Sequence, residues 1–348
     1  MKKSLFLVLT FSICFLSFSQ KKYSIRTVAF YNLENLFDTI NDTSKKDELS
    51  PIMEIKGNKS KIYWDKIENI GDVILQLGTE KAKNTPVILG VAEIENEAVL
   101  QDLVTSKNLR EKDYGIVHFD SPDGRGIDVA LLYQKRYFKP VHYEVFNPNI
   151  YVENKKIKTR DILWVNGFLD DEEINIIVNH WPSRRGGEAK SRPSREKAAY
   201  KVTQVIDKIR ENDKDAKIII MGDFNDDPIN TSIKKVLKTK AKKKDLKDTD
   251  LYNPYEKMFS NGVNTLGFRD RINLFDQIIV SKSLINTKKE KSFTDYKLFK
   301  SAVFNKRFLT VKKGKYKGYP FRSFVKGKYT GGYSDHYPVY MYLIKDAK

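Results

Sequence analysis

The chain has 348 residues, 40% hydrophobic and 31% charged, enough for one large core or two ordinary domains under an ionic surface. Its formal net charge of +18 favours a polyanionic partner over a merely solvated basic face, because Lys and Arg release condensed counterions when they meet phosphates. The single cysteine, Cys14, excludes intrachain disulfides and lies in a leader whose loss would also remove any thiol nucleophile or thiolate metal site.

That leader comes first along the chain. Lys2 and Lys3 precede an apolar run from Leu5 to Phe18, and Ser17 and Ser19 are small residues placed for a cut before Gln20. This pattern predicts a secretory signal peptide over 1–19 and a single folded domain over 20–348. The run is too short for a membrane span. A lipoprotein signal using Cys14 is disfavoured by the bulk of Ile13 before it. Cleavage removes Lys2 and Lys3 and leaves a formal charge of +16. No later stretch is apolar enough to span a bilayer, so a soluble protein of the periplasm or the medium is expected. Nothing indicates an oligomer, and a monomer is the expectation.

Strands are predicted over 25–31, 86–92, 127–133, 161–169, 174–179, 217–221, 276–280 and 337–343. Trp64, Ile67, Ile70, Ile74 and Leu77 follow a helical period, and further helices are predicted over 198–209 and 227–237, the latter opened by Asp227-Pro228. Residues 238–250 and 305–332 read as surface excursions, and no repeat of 20–50 residues is present. Continuous apolar strands with intermittent helices predict an α/β (α+β) fold, a four-layer α/β/β/α sandwich of two packed mixed sheets flanked by helices.

Several predicted strands end on residues able to hold a metal, a phosphate or a proton. Asn32 follows the first strand and is either a hard-cation ligand or a turn residue. Glu93, after the second, is a natural magnesium ligand or the start of the next helix. In Gly124-Arg125-Gly126-Ile127-Asp128, Arg125 is placed to reach a phosphate and Asp128 to be partly buried, unless the segment is simply a turn. Arg160 opens a strand, where its guanidinium suits a phosphate clamp or an edge-strand surface. His180 precedes a basic loop with Arg184, Arg185, Lys190, Arg192 and Arg195, which favours a phosphate-facing role for His180 and makes Arg184 a phosphate-binding candidate. Asp223 and Asn225 lie two apart in Gly222-Asp223-Phe224-Asn225, so both can point toward one water and one phosphate oxygen. Ser334-Asp335-His336 offers a base and a metal ligand, and Asp276 opens a strand from which it can orient the His336 ring.

In this order, Asn32, Glu93, Arg160, His180, Asp223-x-Asn225, Asp276 and Asp335-His336 resemble the endonuclease/exonuclease/phosphatase superfamily with its DNase I-like fold, over about residues 24–346. The likeness is greatest to its secreted bacterial nucleases. The resemblance implies metal ligation by Asn32 and Glu93 and phosphate binding by Arg160. It makes His180 and His336 the two active-site histidines, Asp276 the partner of the second, and Asp223 and Asn225 the pair that orients the attacking water. Asp335 matches the Asp of the terminal Asp-His and is a further metal candidate. Arg125 departs from the pancreatic-type pattern, which has Tyr there, so its role and that of Asp128 stay open.

The expected activity is metal-assisted, in-line hydrolysis of a phosphodiester, with Mg²⁺ as cofactor, Mn²⁺ as an alternative, and Ca²⁺ open in a structural role. DNA is the favoured substrate and RNA the other nucleic acid. Charge and the Arg184 segment support this, as do interleaved cations and rings over 306–329, among them Arg307, Lys312, Lys313, Tyr316, Tyr319 and Arg322. A sphingomyelinase-like phosphoesterase is the alternative, although no apolar hairpin for a bilayer is visible. A non-catalytic extracellular DNA-binding protein is the third reading; it predicts lost ligand positions, and all are present.

Overall fold

A computed structural model describes residues 22–268, 271–286 and 292–347. The expected signal peptide lies outside the described residues.

Thirteen strands build two large sheets. They are β1 (Tyr23–Leu36), β2 (Ile88–Ile94), β3 (Tyr114–His118), β4 (Asp128–Gln134), β5 (Phe138–Phe146), β6 (Ile162–Leu169), β7 (Glu172–His180), β8 (Ile218–Asp223), β9 (Thr239–Lys240), β10 (Leu251–Tyr252), β11 (Asp276–Ser281), β12 (Lys297–Val303) and β13 (Val339–Asp346). The first sheet runs β12-β13-β1-β2-β4-β3 and the second β9-β10-β11-β8-β7-β6-β5. Each is mixed: β1 and β2 pair in parallel, as do β7 and β8, while their outer neighbours are antiparallel.

Strand alternation divides the apolar residues between three packing layers. From β1, Val28 and Phe30 point between the sheets, where they meet Val165, Ile176, Met221 and Ile278. Ala29 and Tyr31 point outward onto helices α1 (Lys59–Gln76) and α2 (Glu97–Thr105) through Ile67, Ile70, Val99 and Leu100. On the far side, helix α3 (Glu188–Asn212) packs Ala198, Val202 and Val205 against Ile177, Ile218 and Ile220. The result is the four-layer α/β/β/α sandwich.

All eight predicted strands are present. The strands without a clear sequence signal are β3, β5, β9, β10 and β12. Four of these are the edges of the two sheets, where partial burial leaves a weak alternation; β5 even contains Pro140, tolerated on an edge. The expected core stripe of α1 holds at Ile67, Ile70, Ile74 and Leu77, all fully buried, but its first member does not: Trp64 is 45% exposed, and adjacent Tyr63 is buried in its place. The helix predicted over 227–237 is only a π-helical turn, Ser232–Val236. Lys190, Arg192 and Arg195 lie on α3 and not in a loop.

Candidate active site

Register collects the site. His180 ends β7, Asp223 ends β8 and Asp276 begins β11, and the ladder pairs Asp223 with His180 on one side and with Asp276 on the other. Three candidate residues thus form one row across three adjacent strands. Gly222 permits the close approach of β7: a Cβ there would lie 2.3 Å from the backbone oxygen of Asn179. Gly222→Ala should therefore lower the stability of the chain by about 1–3 kcal/mol, read as a reduced urea midpoint at unchanged slope.

The opposing sheet contributes Asn32 and Glu93, both at irregularities. The β1–β2 register shifts between Asn32 and Leu36, and the β2–β4 register shifts between Ala92 and Ile94. Glu93 has φ 60°, and Glu34 and Asn35 also take positive φ. Such bulges re-aim side chains, and left-handed backbone at non-glycine residues is a local cost that the surrounding contacts must hold.

Asn32 joins the two sheets. Its Nδ2 donates to Glu93 Oε1 and to Asp223 Oδ2, each at 3.2 Å, while its Oδ1 accepts from the Glu34 amide. Glu93 Oε2 accepts from the Asn35 amide. His180 Nε2 stands 3.6 Å from Asp223 Oδ2 and 3.9 Å from Glu93 Oε1. Asp223 Oδ1 accepts from the Asn225 amide, and Asn225 Nδ2 donates to the Trp181 carbonyl. His336 is bonded through Nδ1 to Asp276 Oδ2 at 2.7 Å. Ser334 secures that turn by donating to the Asn32 carbonyl and accepting from the His336 amide.

The two histidines are tuned in opposite directions. Burial, with Arg160, Arg125 and His336 nearby, holds His180 well below the usual imidazole range. Burial acts the same way on His336, but Asp276, Asp223 and Asp335 outweigh it and raise His336 well above that range. Burial pushes Asp223 up to about 7, opposed by His336 and assisted by Asp276 and Glu93.

The arginines behave differently from expectation. Arg160 is buried, and its guanidinium donates to the carbonyls of His180 and Trp181 and to Asp123 Oδ2. It braces the end of β7 and is not an open phosphate clamp. Arg184 donates to the Asn225 carbonyl, Glu188, Asp226, Asp227 and Asn230 and lies over the Phe275 ring. It buttresses the turn after Asp223 instead of facing a phosphate. Only Arg125 among the three is half exposed, with Asp123 as its partner. Asp128 is buried, accepting from the Ser121 amide and paired with His118 Nε2 at 3.1 Å. It closes the 118–128 turn.

Two supporting networks carry no local sequence signal. Buried Arg195 on α3 pairs with Asp226 Oδ1 at 2.7 Å. Arg195→Met would strand that buried carboxylate with Arg184 as its remaining ion-pair partner, and a stability loss of about 3 kcal/mol is expected, seen as a lower thermal midpoint. The second network joins Glu34, Lys66, Arg322 and Asp335. Arg322 bridges Glu34 Oε1 at 2.9 Å and Asp335 Oδ2 at 3.1 Å, and buried Lys66 donates to the carbonyls of Glu34 and Asn35.

Among the described residues, the His and acidic groups close enough to share one ion are Asp223–Asp276–His336 and His118–Asp120–Asp128. Glu93 and Asp335 fall outside both, so the tightest ligand cluster differs from the expected Asn32, Glu93 and Asp335. The whole site nevertheless fits a hard divalent cation. Its donors are carboxylate and amide oxygens, Asp223 and Asp276 face each other across a strand pair, and Asp276 Oδ1 is buried without a hydrogen-bond partner.

Paired carboxylates and two histidines at the strand ends of an α/β/β/α sandwich define a metal-assisted phosphoesterase. Residues 27–345 match the Endonuclease/Exonuclease/phosphatase family, and the chain belongs to it. It is a hydrolase of phosphoester bonds in a family that depends on divalent metal. No curated protein matches the chain. A humanized D. rerio TDP2 with 14 mutations has a similar structure, with a TM-score of 0.54 at 16% identity, covering 92% of this chain and 99% of that one. A family protein from Bacteroides thetaiotaomicron gives 0.53 at 17%, covering 94% and 97%. The mannosyl-6-phosphatase of the same organism gives 0.53 at 18%, covering 91% and 99%. At these identities the likeness is one of fold.

Proposed function

We propose that the chain is a secreted nuclease that hydrolyses DNA phosphodiesters with Mg²⁺. The observation that carries the reading is the row His180–Asp223–Asp276 with His336 bonded to Asp276. It places one low-pKa imidazole and one charged imidazole on either side of a carboxylate. Glu93, Asp223 and Asp335 would hold the metal, and Asn32, whose Nδ2 faces Glu93 and Asp223 while its Oδ1 accepts from the Glu34 amide, would join them only after its side-chain amide turns over; the metal would supply charge neutralisation at the phosphate and the leaving oxygen.

Asp223, held by the Asn225 amide and Asn32, orients the attacking water and accepts its proton. Asn225 fixes the turn, its backbone amide donating to Asp223 Oδ1 and its side-chain amide to the Trp181 carbonyl. His336, kept protonated by Asp276, stabilises charge on a non-bridging oxygen or relays a proton. Neutral His180 donates a hydrogen bond to the phosphate from Nε2, and Arg160 holds its backbone carbonyl at the end of β7. Arg125 and Arg322 provide the accessible guanidinium charge.

Three things favour nucleic acid as substrate: the formal charge of +16 left after signal cleavage, the exposed lysines of the 305–332 excursion, and a D. rerio TDP2 structure of similar fold that holds a single-strand DNA product. Among the described residues no helix is long and apolar enough to cross a membrane. Export as a signal-cleaved chain with one catalytic domain over 20–348, acting as a monomer in the periplasm or medium, completes the proposal; N-terminal sequencing of the exported protein should begin at Gln20. The substrate test compares supercoiled plasmid, single-stranded DNA, RNA, sphingomyelin and a sugar phosphate in Mg²⁺. Cleavage confined to sphingomyelin or to the sugar phosphate would overturn the nuclease reading.

A further inference from the structure

A cavity of about 880 Å³ opens beside Asp335. Most of its wall comes from the 311–330 excursion, closed on another side by Gly267, Phe268, Pro51 and Glu54. Tyr316, Tyr319 and Phe321 supply aromatic surface, and Lys313 and Lys326 supply exposed positive charge. The Tyr319 ring is seated on backbone: a Cβ at Gly267 would meet three of its ring carbons at 2.8–2.9 Å. Tyr316 is 47% exposed, with its ring 5.8 Å from that of Tyr319 and tilted by 51°. The cavity adjoins the candidate site at Asp335, the neighbour of His336 in sequence, which lines it together with Arg322, and Arg322 ties Asp335 to Glu34.

Rings and lysines in one concavity match the two surfaces of a nucleotide, a flat base and an anionic backbone. Inside a duplex both faces of each base are covered by its neighbours in the stack. A walled cavity of rings therefore admits a base only after it has left the stack, and that step is least costly for a base already unpaired. We propose that this cavity holds one unpaired base of the nucleotide flanking the scissile phosphate, with Lys313 and Lys326 on adjoining phosphates, and so makes the enzyme selective for single-stranded or frayed DNA over intact duplex. The proposal rests on the nuclease reading and narrows it.

The test measures initial rates in Mg²⁺ on a labelled single-stranded oligonucleotide, its blunt duplex, and the same single strand with an abasic position at the cleavage site. The parent chain is compared with Tyr316→Ala and Tyr316→Phe. The parent should cut the intact single strand roughly tenfold more efficiently than the duplex or the abasic strand. Tyr316→Ala should raise KM for the intact strand about tenfold and for the abasic strand by less than about twofold, with Tyr316→Phe restoring parent values. Equal rates on duplex and single strand, or equal effects of Tyr316→Ala on intact and abasic strands, would overturn the cavity assignment alone. Failure of the parent chain to cut any DNA would overturn the nuclease reading and the assignment with it.

Discussion

His336→Ala is expected to cut single-stranded DNA roughly 10²–10⁴-fold more slowly than the parent chain, with the loss in kcat and little change in KM. The imidazole sits 2.7 Å from Asp276 in a buried setting where that carboxylate keeps it protonated. Truncation removes the charge and leaves Asp276 buried without its partner, opposite Asp223 in the ladder. Some destabilisation is therefore expected alongside the kinetic loss. His336→Gln separates the two, since it keeps a hydrogen-bond donor toward Asp276 but no titratable ring; it should recover stability without recovering rate. His180→Ala should fall in the same range of rate loss, because His180 Nε2 faces both Glu93 and Asp223. Full activity in either alanine variant would refute the roles assigned to them.

Metal removal should have an effect at least as large. Dialysis against EDTA is expected to abolish cleavage, and Mg²⁺ or Mn²⁺ to restore it. Glu93→Gln should need a higher Mg²⁺ concentration for half-maximal rate, because a neutral amide is a weaker ligand for a hard cation than a carboxylate. The cation also relieves repulsion among Glu93, Asp223 and Asp276. Saturating Mg²⁺ at about 100 times its Kd should then stabilise the parent fold by about 2.7 kcal/mol, visible as a higher thermal midpoint that shrinks in Glu93→Gln. Cleavage undiminished in excess EDTA would rule out this account.

The sequence was most legible where burial is complete. Strands such as β8, with every residue buried, appear as apolar runs, and the catalytic candidates appear because each adjoins one end of such a run. The edges were harder to see. β5 has only Phe138 fully buried, so its alternation is faint, and β9 and β10 are two residues each. Only the first turn of α1 was ambiguous, because Tyr63 and Trp64 are adjacent and either can begin a stripe of period 3.6.

The arginines carry a second lesson. From sequence, Arg160 and Arg184 near His180 read as phosphate ligands. In three dimensions Asp123, Asp226 and Asp227 take up their donors, and their positions relative to those partners are set by long-range register that no local pattern encodes. The same holds for Glu34, two residues after Asn32, which the fold links to Arg322, 288 residues away. These residues position the site, whereas Asn32, Glu93, His180, Asp223, Asp276 and His336 form it.

The most direct measurement of that claim is a Mg²⁺ titration of EDTA-stripped protein, with cleavage of a labelled single-stranded oligonucleotide as the readout, on the parent chain and His336→Ala in parallel. The parent should be silent without metal and gain activity to a plateau with Mg²⁺, while His336→Ala reaches a plateau roughly 10²–10⁴-fold lower. Metal-independent cleavage by the parent, or equal plateaus for the two proteins, would contradict it.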